Sequence, residues 1–450
     1  MKDFHHALKI VEELCIGCSK CMNICPTHAI RVRDGKAKLL NNRCIDCGEC
    51  FRVCPVSAII IEQDDFADIF NYKHRIALIP AVFTAQFPSK YSITDIYSAL
   101  HDLGFTDVFE VEHGVHILRE EVKKQINDPN SLKPLISTFC PAIVRLIQVQ
   151  FPSLVHNLIL LMPPLDISAL YFKKSLADQG IKEEDIGIFY FTQCAAKIAA
   201  IKSPAEKEQS PITGVINMDS AFNKVYQHLE QKIHNGGSLE ETQDKLSPDA
   251  ILWGLTTGET EHYSGRRIAI DGVHNVIGFL EKLENEENAG FQFIELRACD
   301  ESCAGGVLAL ENRFLTAERM RNRAKKALNQ TGNAFSVRIN DYRHELAELI
   351  KIGDIKPRSM MKLDEDMSEA MRKMKLIRQI IQMLPMVDCG ACGSPGCYAL
   401  AEDIVQGRGM MENCIFVQRR YELKGMLKNK DAIELMKRIW GNDKFESKQS

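Results

Sequence analysis

All sixteen cysteines of this 450-residue chain fall into four sets of four. Residues 15–25 (CIGCSKCMNIC) and 44–54 (CIDCGECFRVC) supply eight of them. Cys140, Cys194, Cys299 and Cys303 supply four more, and Cys389, Cys392, Cys397 and Cys414 complete the count. No thiol is left over for a disulfide or a lone nucleophile. Soft thiolates in fours suit iron in a tetrahedral sulfur field. A chain of this kind is expected to hold and move electrons.

Both N-terminal runs follow C-x2-C-x2-C-x3-C-P, the two-cluster bacterial ferredoxin spacing. Shifting the first run by 29 positions lays Ile16 on Ile45, Pro26 on Pro55, Ala29 on Ala58 and Ile30 on Ile59. Such an internal repeat implies a small pseudo-twofold domain, here set at residues 1–65. In this spacing the fourth cysteine of each run ligates the other cluster. Cys15, Cys18, Cys21 and Cys54 are therefore assigned to one 4Fe-4S cubane, and Cys44, Cys47, Cys50 and Cys25 to its partner. Paired zinc knuckles would explain C-x2-C alone, but three cysteines at that spacing followed by x3-C-P do not suit zinc.

Residues 388–414 (DCGACGSPGCYALAEDIVQGRGMMENC) space their cysteines as C-x2-C-x4-C-x16-C. Gly390, Gly393 and Gly396 let the backbone turn tightly around a metal core, and the stretch after Cys397 has helical composition. The segment resembles the iron–sulfur domain of the B subunit of Rnf-type electron-transport complexes and of corrinoid iron–sulfur proteins; a zinc ribbon is the other reading. An amphipathic stretch at 368–384 predicts a connecting helix within a C-terminal 4Fe-4S domain at 365–425. A lysine-rich polar tail at 426–450 is expected to be a solvated helix end.

Between these modules, short apolar runs alternate with helical stretches. Residues 75–83, 186–191, 250–255 and 291–296 read as strands, and 91–103, 141–151 and 273–284 as helices. The alternation predicts an α/β body over 70–360. Several cysteines directly follow strand-like runs, where open α/β sheets bind ligands. A net charge of −4 excludes a polyelectrolyte surface for nucleic acid, and no run of eighteen apolar residues predicts a membrane span. Thiols spaced as ligands and an N-terminus without a secretory signal place the chain in the cytoplasm. His5, His6, His113 and His116 are read as surface or core residues, and no glycine motif implies a nucleotide.

The segments STFCPA (137–142), TQCAAK (192–197) and ELRACDESCAGG (295–306) resemble the three signatures of the FeFe-hydrogenase catalytic domain, TSCCP, MPCxxK and ExMACxxGCxxGG. IPAV (79–82), GFTDVFEVEHG (104–114) and DGVHNVIGFLE (271–281) extend the likeness. The resemblance implies that Cys140, Cys194, Cys299 and Cys303 hold a 4Fe-4S cubane, with Cys303 bridging to a two-iron subsite carrying CO, cyanide and a dithiolate. Together these would be an H-cluster, and Lys197 would donate to a cyanide. Glu121 matches a relay glutamate, and Gly305 and Gly306 permit close approach to the cluster.

Departures from the family bear on activity. The proton-handling cysteine position is Phe139, whose ring has no exchangeable proton. Two further relay positions align with Lys124 and Ile159. Thr192 and Gln193 replace the Met-Pro before Cys194, and Ser302 replaces a glycine. The set is similar to that of the sensory FeFe hydrogenases, in the branch without a PAS domain. Two functions follow. One is a sensory or low-turnover hydrogenase, with H2 and protons as substrates and a ferredoxin-like carrier or a signalling protein as partner. The other is an electron-transfer or docking protein on the same scaffold without the two-iron subsite, as in Narf-like iron–sulfur assembly proteins.

Overall fold

The 29-residue repeat is written into the backbone as well as the sequence. Positive φ angles recur at Gly17 and Asp46, at Ser19 and Gly48, and at His28 and Ser57, each pair one repeat apart. These left-handed turns wrap the chain around the thiols, and the amides of Ala29 and Ala58 donate to Cys25 Sγ and Cys54 Sγ, both at 3.2 Å. Strand Leu8–Ile10 pairs antiparallel with Ile59–Ile61, and Ile30–Arg33 with Lys36–Leu39. Asp34 and Gly35, both at positive φ, close the second pair, as a two-residue hairpin turn demands. The computed structural model describes residues 5–204, 209–234, 246–285, 290–328, 338–358, 363–364 and 366–446. The end of the expected tail, 447–450, lies outside them.

Two parallel sheets build the body. The first runs in the order Asp107–Glu110, His74–Ile79, Ile186–Thr192, Gly214–Asn217, and the second in the order Arg267–Ile270, Phe293–Leu296, Leu135–Ile136. All seven residues of Ile186–Thr192 are buried, which accounts for a continuous apolar run in place of alternation. Helix Ile93–Asp102 begins with a capping box between Ser92 and Asp95. Helices Pro141–Gln150 and Val273–Asn285 form where their periodicity predicts them.

Two expected strands differ. The run at 75–83 ends as a strand at Ile79, because Pro80 opens a short helix, Ala81–Thr84. Residues 250–255 are not a strand; they belong to helix Pro248–Leu252 and the turn after it. Ser247 caps that helix by accepting from the Ala250 amide, and Pro248 holds its first turn, the usual N-terminal chemistry. Trp253 is fully buried behind it. Among the described residues, no helix is long and apolar enough to cross a membrane.

The C-terminal module, with helices Met367–Met383, Cys397–Val405 and Ile415–Leu423, packs on the ferredoxin hairpin. Asp403 is fully buried and receives Arg31 Nε at 2.6 Å, Arg33 Nη2 at 3.0 Å and Ser394 Oγ at 2.8 Å. Arg43 pairs with Glu402 at 2.9 Å, and the Val32 amide donates to Gly393 O at 2.8 Å. The region read as a solvated tail is instead a docked helix, Asn429–Trp440. It buries Ala432 and Ile439, and Trp440 Nε1 donates to Ala391 O at 2.9 Å. The amides of Asp34 and Gly35 donate to the carbonyls of Arg438 and Ile439. A lysine-rich composition concealed an amphipathic helix with one apolar edge.

The ferredoxin module is also tied to the body. Asp46 accepts from the Ala7 and Leu8 amides, from His6 and from Arg145 of the body helix. Arg52 Nη2 reaches Gly305 O at 2.7 Å, beside the third cysteine segment. The chain thus places its ferredoxin unit between the C-terminal module and the body.

Candidate metal centres and the pocket beside Cys303

Cys15, Cys18, Cys21 and Cys54 line one cavity. The fourth thiol therefore comes from the second run. Burial pushes the Cys44, Cys47 and Cys50 thiols up, and a charge on Cys25 adds to each, so Cys25 stands with that set. Cys389, Cys392, Cys397 and Cys414 line another cavity. Asp388, Gly390 and Gly393 all take positive φ there, and Asp388 Oδ1 accepts from the Cys397 amide at 2.6 Å. Cys389 is exposed, whereas its three companions are buried.

In the body, Cys140, Cys194 and Cys299 all follow strands of the parallel sheets, where carboxyl ends of strands open onto a shared crevice. Cys140 and Cys194 immediately precede the helices Pro141–Gln150 and Ala195–Lys202. Burial pushes the Cys194 thiol up to about 12, and charges on Cys140 and Cys303 push the same way. Cys299 is raised by burial and then by Cys194, Cys140 and Cys303. The four thiols face one another, and a metal must displace their protons to bind.

Among the described residues, one further group of ligand atoms converges within 4.8 Å, those of His6, Cys44 and Asp46. His6 and Asp46 are committed to each other at 2.8 Å, a hydrogen-bonded support beneath the cluster ligand.

Cys303 also borders a separate pocket, walled by Lys197, Phe139, Gln193, Glu112 and Gly254 among others. Lys197 is buried; its Nζ lies 3.2 Å from Tyr190 Oη and 4.8 Å from the Phe139 ring centroid. No carboxylate stands within ion-pair distance of it among the described residues. The side-chain amide of Gln193 is buried with neither its nitrogen nor its oxygen hydrogen-bonded among the described residues. Unpaired polar groups of this kind are costly, and here they fit an occupant that both accepts and donates.

A family model for the C-terminal domain of the iron-only hydrogenase large subunit matches residues 73–247. The body of this chain is similar to an iron-only hydrogenase domain over those residues. A 4Fe-4S dicluster model matches residues 14–58, and an Fe-S cluster model matches residues 384–416. The FeFe-hydrogenase HydA1 of Chlamydomonas reinhardtii is 14% identical, with a TM-score of 0.46, over 63% of this chain and 94% of that one. A HydA structure concerned with stepwise H-cluster assembly is 13% identical, with a TM-score of 0.46, over 66% and 97%. The B component of an ion-translocating oxidoreductase complex from Buchnera aphidicola is 43% identical over 42 residues, 9% of this chain. The chain spans about a quarter of the length of that curated relative.

Within the hydrogenase-like body, Lys197 and Cys303 share the pocket, but Glu121 does not line it. Its carboxylate is paired with Lys124 Nζ at 2.5 Å. Phe139 lies between two cations, with the Arg297 guanidinium 4.0 Å from its ring centroid and Lys197 on the ring as well. Arg297 escaped the sequence reading, although it occupies the methionine position of the third signature. It is held by Glu259 at 2.8 Å and Glu295 at 3.4 Å, and its Nη1 is buried with no hydrogen-bond partner among the described residues. Ser302, at φ 53, takes the left-handed backbone for which a glycine would carry no strain; its hydroxyl meets Thr256 Oγ1 at 2.8 Å.

Gly306 shows how tightly the hydrogenase segments interlock. A Cβ there would stand 2.3 Å from Gln193 Cγ and 2.7 Å from Gln193 O. Gly306→Ala is expected to displace the peptide just before Cys194, a strain of about 1–3 kcal/mol. The purified variant should lack the iron and the electron paramagnetic signal of the body cluster while keeping those of the ferredoxin module.

Proposed function

We propose that this chain interconverts H2 with protons and electrons at low turnover, in a sensory or regulatory setting. In this reading four 4Fe-4S clusters are held: two by residues 1–65, one by the body at 70–360 and one by the 365–425 module. Cys140, Cys194, Cys299 and Cys303 ligate the body cubane, with a two-iron group anchored on Cys303. When bound, that group supplies the site at which H2 is split or formed. Lys197 orients it by donating from Nζ, and Gln193 offers an amide N–H and carbonyl from the facing wall. The apolar remainder of the pocket excludes water, which strengthens each of these contacts.

The observation that carries this reading is the pocket itself. A buried lysine with no carboxylate in ion-pair distance and an amide with no hydrogen-bond partner, both among the described residues, converge beside Cys303. Slow turnover follows from Phe139, since loss of a positioned acid or base commonly costs ~10²–10⁴-fold in rate. Electrons would pass between this site, the ferredoxin clusters and an outside carrier or signalling protein that meets the exposed Cys389. Sixteen cysteines spaced as metal ligands support a reducing, cytoplasmic setting.

Anaerobic infrared spectroscopy tests the reading on protein co-produced with maturation factors for the two-iron group. CO and cyanide bands that shift under H2 are the expected result. Filled cubanes without such bands would overturn it and favour an electron-transfer or assembly protein on a hydrogenase scaffold.

A further inference from the structure

Phe139 removes the acid from one wall of the Cys303 pocket, yet the pocket is not without one. Among the described residues lining it, Glu112 is the one carboxylic acid. It sits in the turn Val111–Gly114, directly after the edge strand Asp107–Glu110 of the first sheet. The side chain is nearly fully buried, and Oε2 accepts from the Ala81 amide at 2.9 Å. That bond fixes one oxygen against the end of the neighbouring strand.

We propose that Glu112 exchanges protons with the occupant of the Cys303 pocket, in place of the acid that position 139 no longer offers. The proposal rests on the hydrogenase reading above. In the donating direction the Glu112 O–H bond breaks, the proton passes to a basic atom of the occupant, and a carboxylate remains. In the reverse direction the carboxylate re-forms that bond. No electron moves in either step, and the net proton comes from water outside the pocket.

The charges around Glu112 suit this role. Burial, then the charge of Glu110, pushes its carboxyl up to about 8, and Lys197 acts weakly in the opposite sense. Glu110 is itself clamped by Arg323, at 2.6 and 2.7 Å. Tyr190, pushed up to about 12 by burial, keeps its proton. Glu112 can therefore be an acid near neutral pH and a base just above it. A general acid or base works best when its pKa lies near the working pH.

Glu112→Gln keeps the shape and an acceptor for the Ala81 amide but cannot release a proton; Glu112→Asp keeps the acid on a shorter stem. Two readouts decide. On protein holding only its cubanes, the infrared carbonyl band of a protonated carboxylic acid should be present at neutral pH and bleach as pH rises through about 8. Glu112→Gln should lack this band. On protein carrying the two-iron group, Glu112→Gln should keep the CO and cyanide bands but lose ~10²-fold or more in exchange of H2 with D2O. It should also lose the alkaline limb of the wild-type H2-evolution profile, where the donor form disappears. Glu112→Asp should recover part of the rate and a shifted limb. Intact CO and cyanide bands with an unchanged exchange rate, or a carboxyl band that survives in Glu112→Gln, would overturn the proposal alone. A wild-type protein without CO and cyanide bands would overturn both it and the hydrogenase reading.

Discussion

Replacing Cys303 by alanine is expected to erase H2 exchange and the CO and cyanide infrared bands together. Cys303 is the thiol that belongs both to the body quartet and to the wall of the pocket, so its removal takes away the one covalent link between the two. The fold should tolerate the change. Its amide donates to Gly254 O at 3.0 Å and its carbonyl accepts from the Gly306 amide at 3.2 Å, and alanine keeps both bonds. Lys197 and Gln193 would still face the pocket, but a few hydrogen bonds do not replace a metal–thiolate bond of an iron–sulfur site. Signals from the ferredoxin clusters and from the Cys389 cluster should persist, which separates a local loss from misfolding. Exchange activity surviving in Cys303→Ala would place the chemistry elsewhere.

Much of this site was legible because cysteine spacing is a direct statement of coordination geometry. The x2-x2-x3 runs name their ligands, and the crossed fourth thiols follow from the repeat; Cys54 duly lines the cavity of Cys15, Cys18 and Cys21. The strands before Cys194 and Cys299 were legible for a different reason: parallel strands buried on both faces read as continuous apolar runs. Polar contributions from distant segments were not. Arg297 and Glu112 carry no spacing signal. They matter only because the two sheets bring Phe139, Glu259 and Ala81 to them. Glu121 misled in the opposite way, since matching a relay position by alignment said nothing about Lys124 one turn away taking its carboxylate. Residues 250–255 looked like a strand because burial behind Trp253 gives a helix turn the same apolar composition.

Asp403→Ala is expected to detach the C-terminal module from the ferredoxin hairpin. Asp403 is fully buried and gathers two arginines from the hairpin, Arg31 and Arg33, and a serine from its own module. Arg31 is 3% exposed, so deleting its partner leaves a charge with little water to replace it. Breaking a buried pair by removing one partner costs about 3–5 kcal/mol, a large fraction of the roughly 5–15 kcal/mol that holds a domain folded. Arg33 is half-released from the penalty, because it also donates to Gly393 O at 2.7 Å; Arg31 retains a bond to His28 O at 2.7 Å but keeps its uncompensated charge. Asp403→Asn, which leaves an acceptor for Ser394 and one arginine, should cost less. In calorimetry the alanine variant should show a separate early transition for the module, with the body melting as in the parent protein. Reduction of the inner clusters by a protein donor that docks near Cys389 should slow, while reduction by a small dye that reaches the ferredoxin clusters directly should not. A single melt at the parental temperature would mean that the Arg43–Glu402 pair and the Trp440 contact suffice to hold the two modules together.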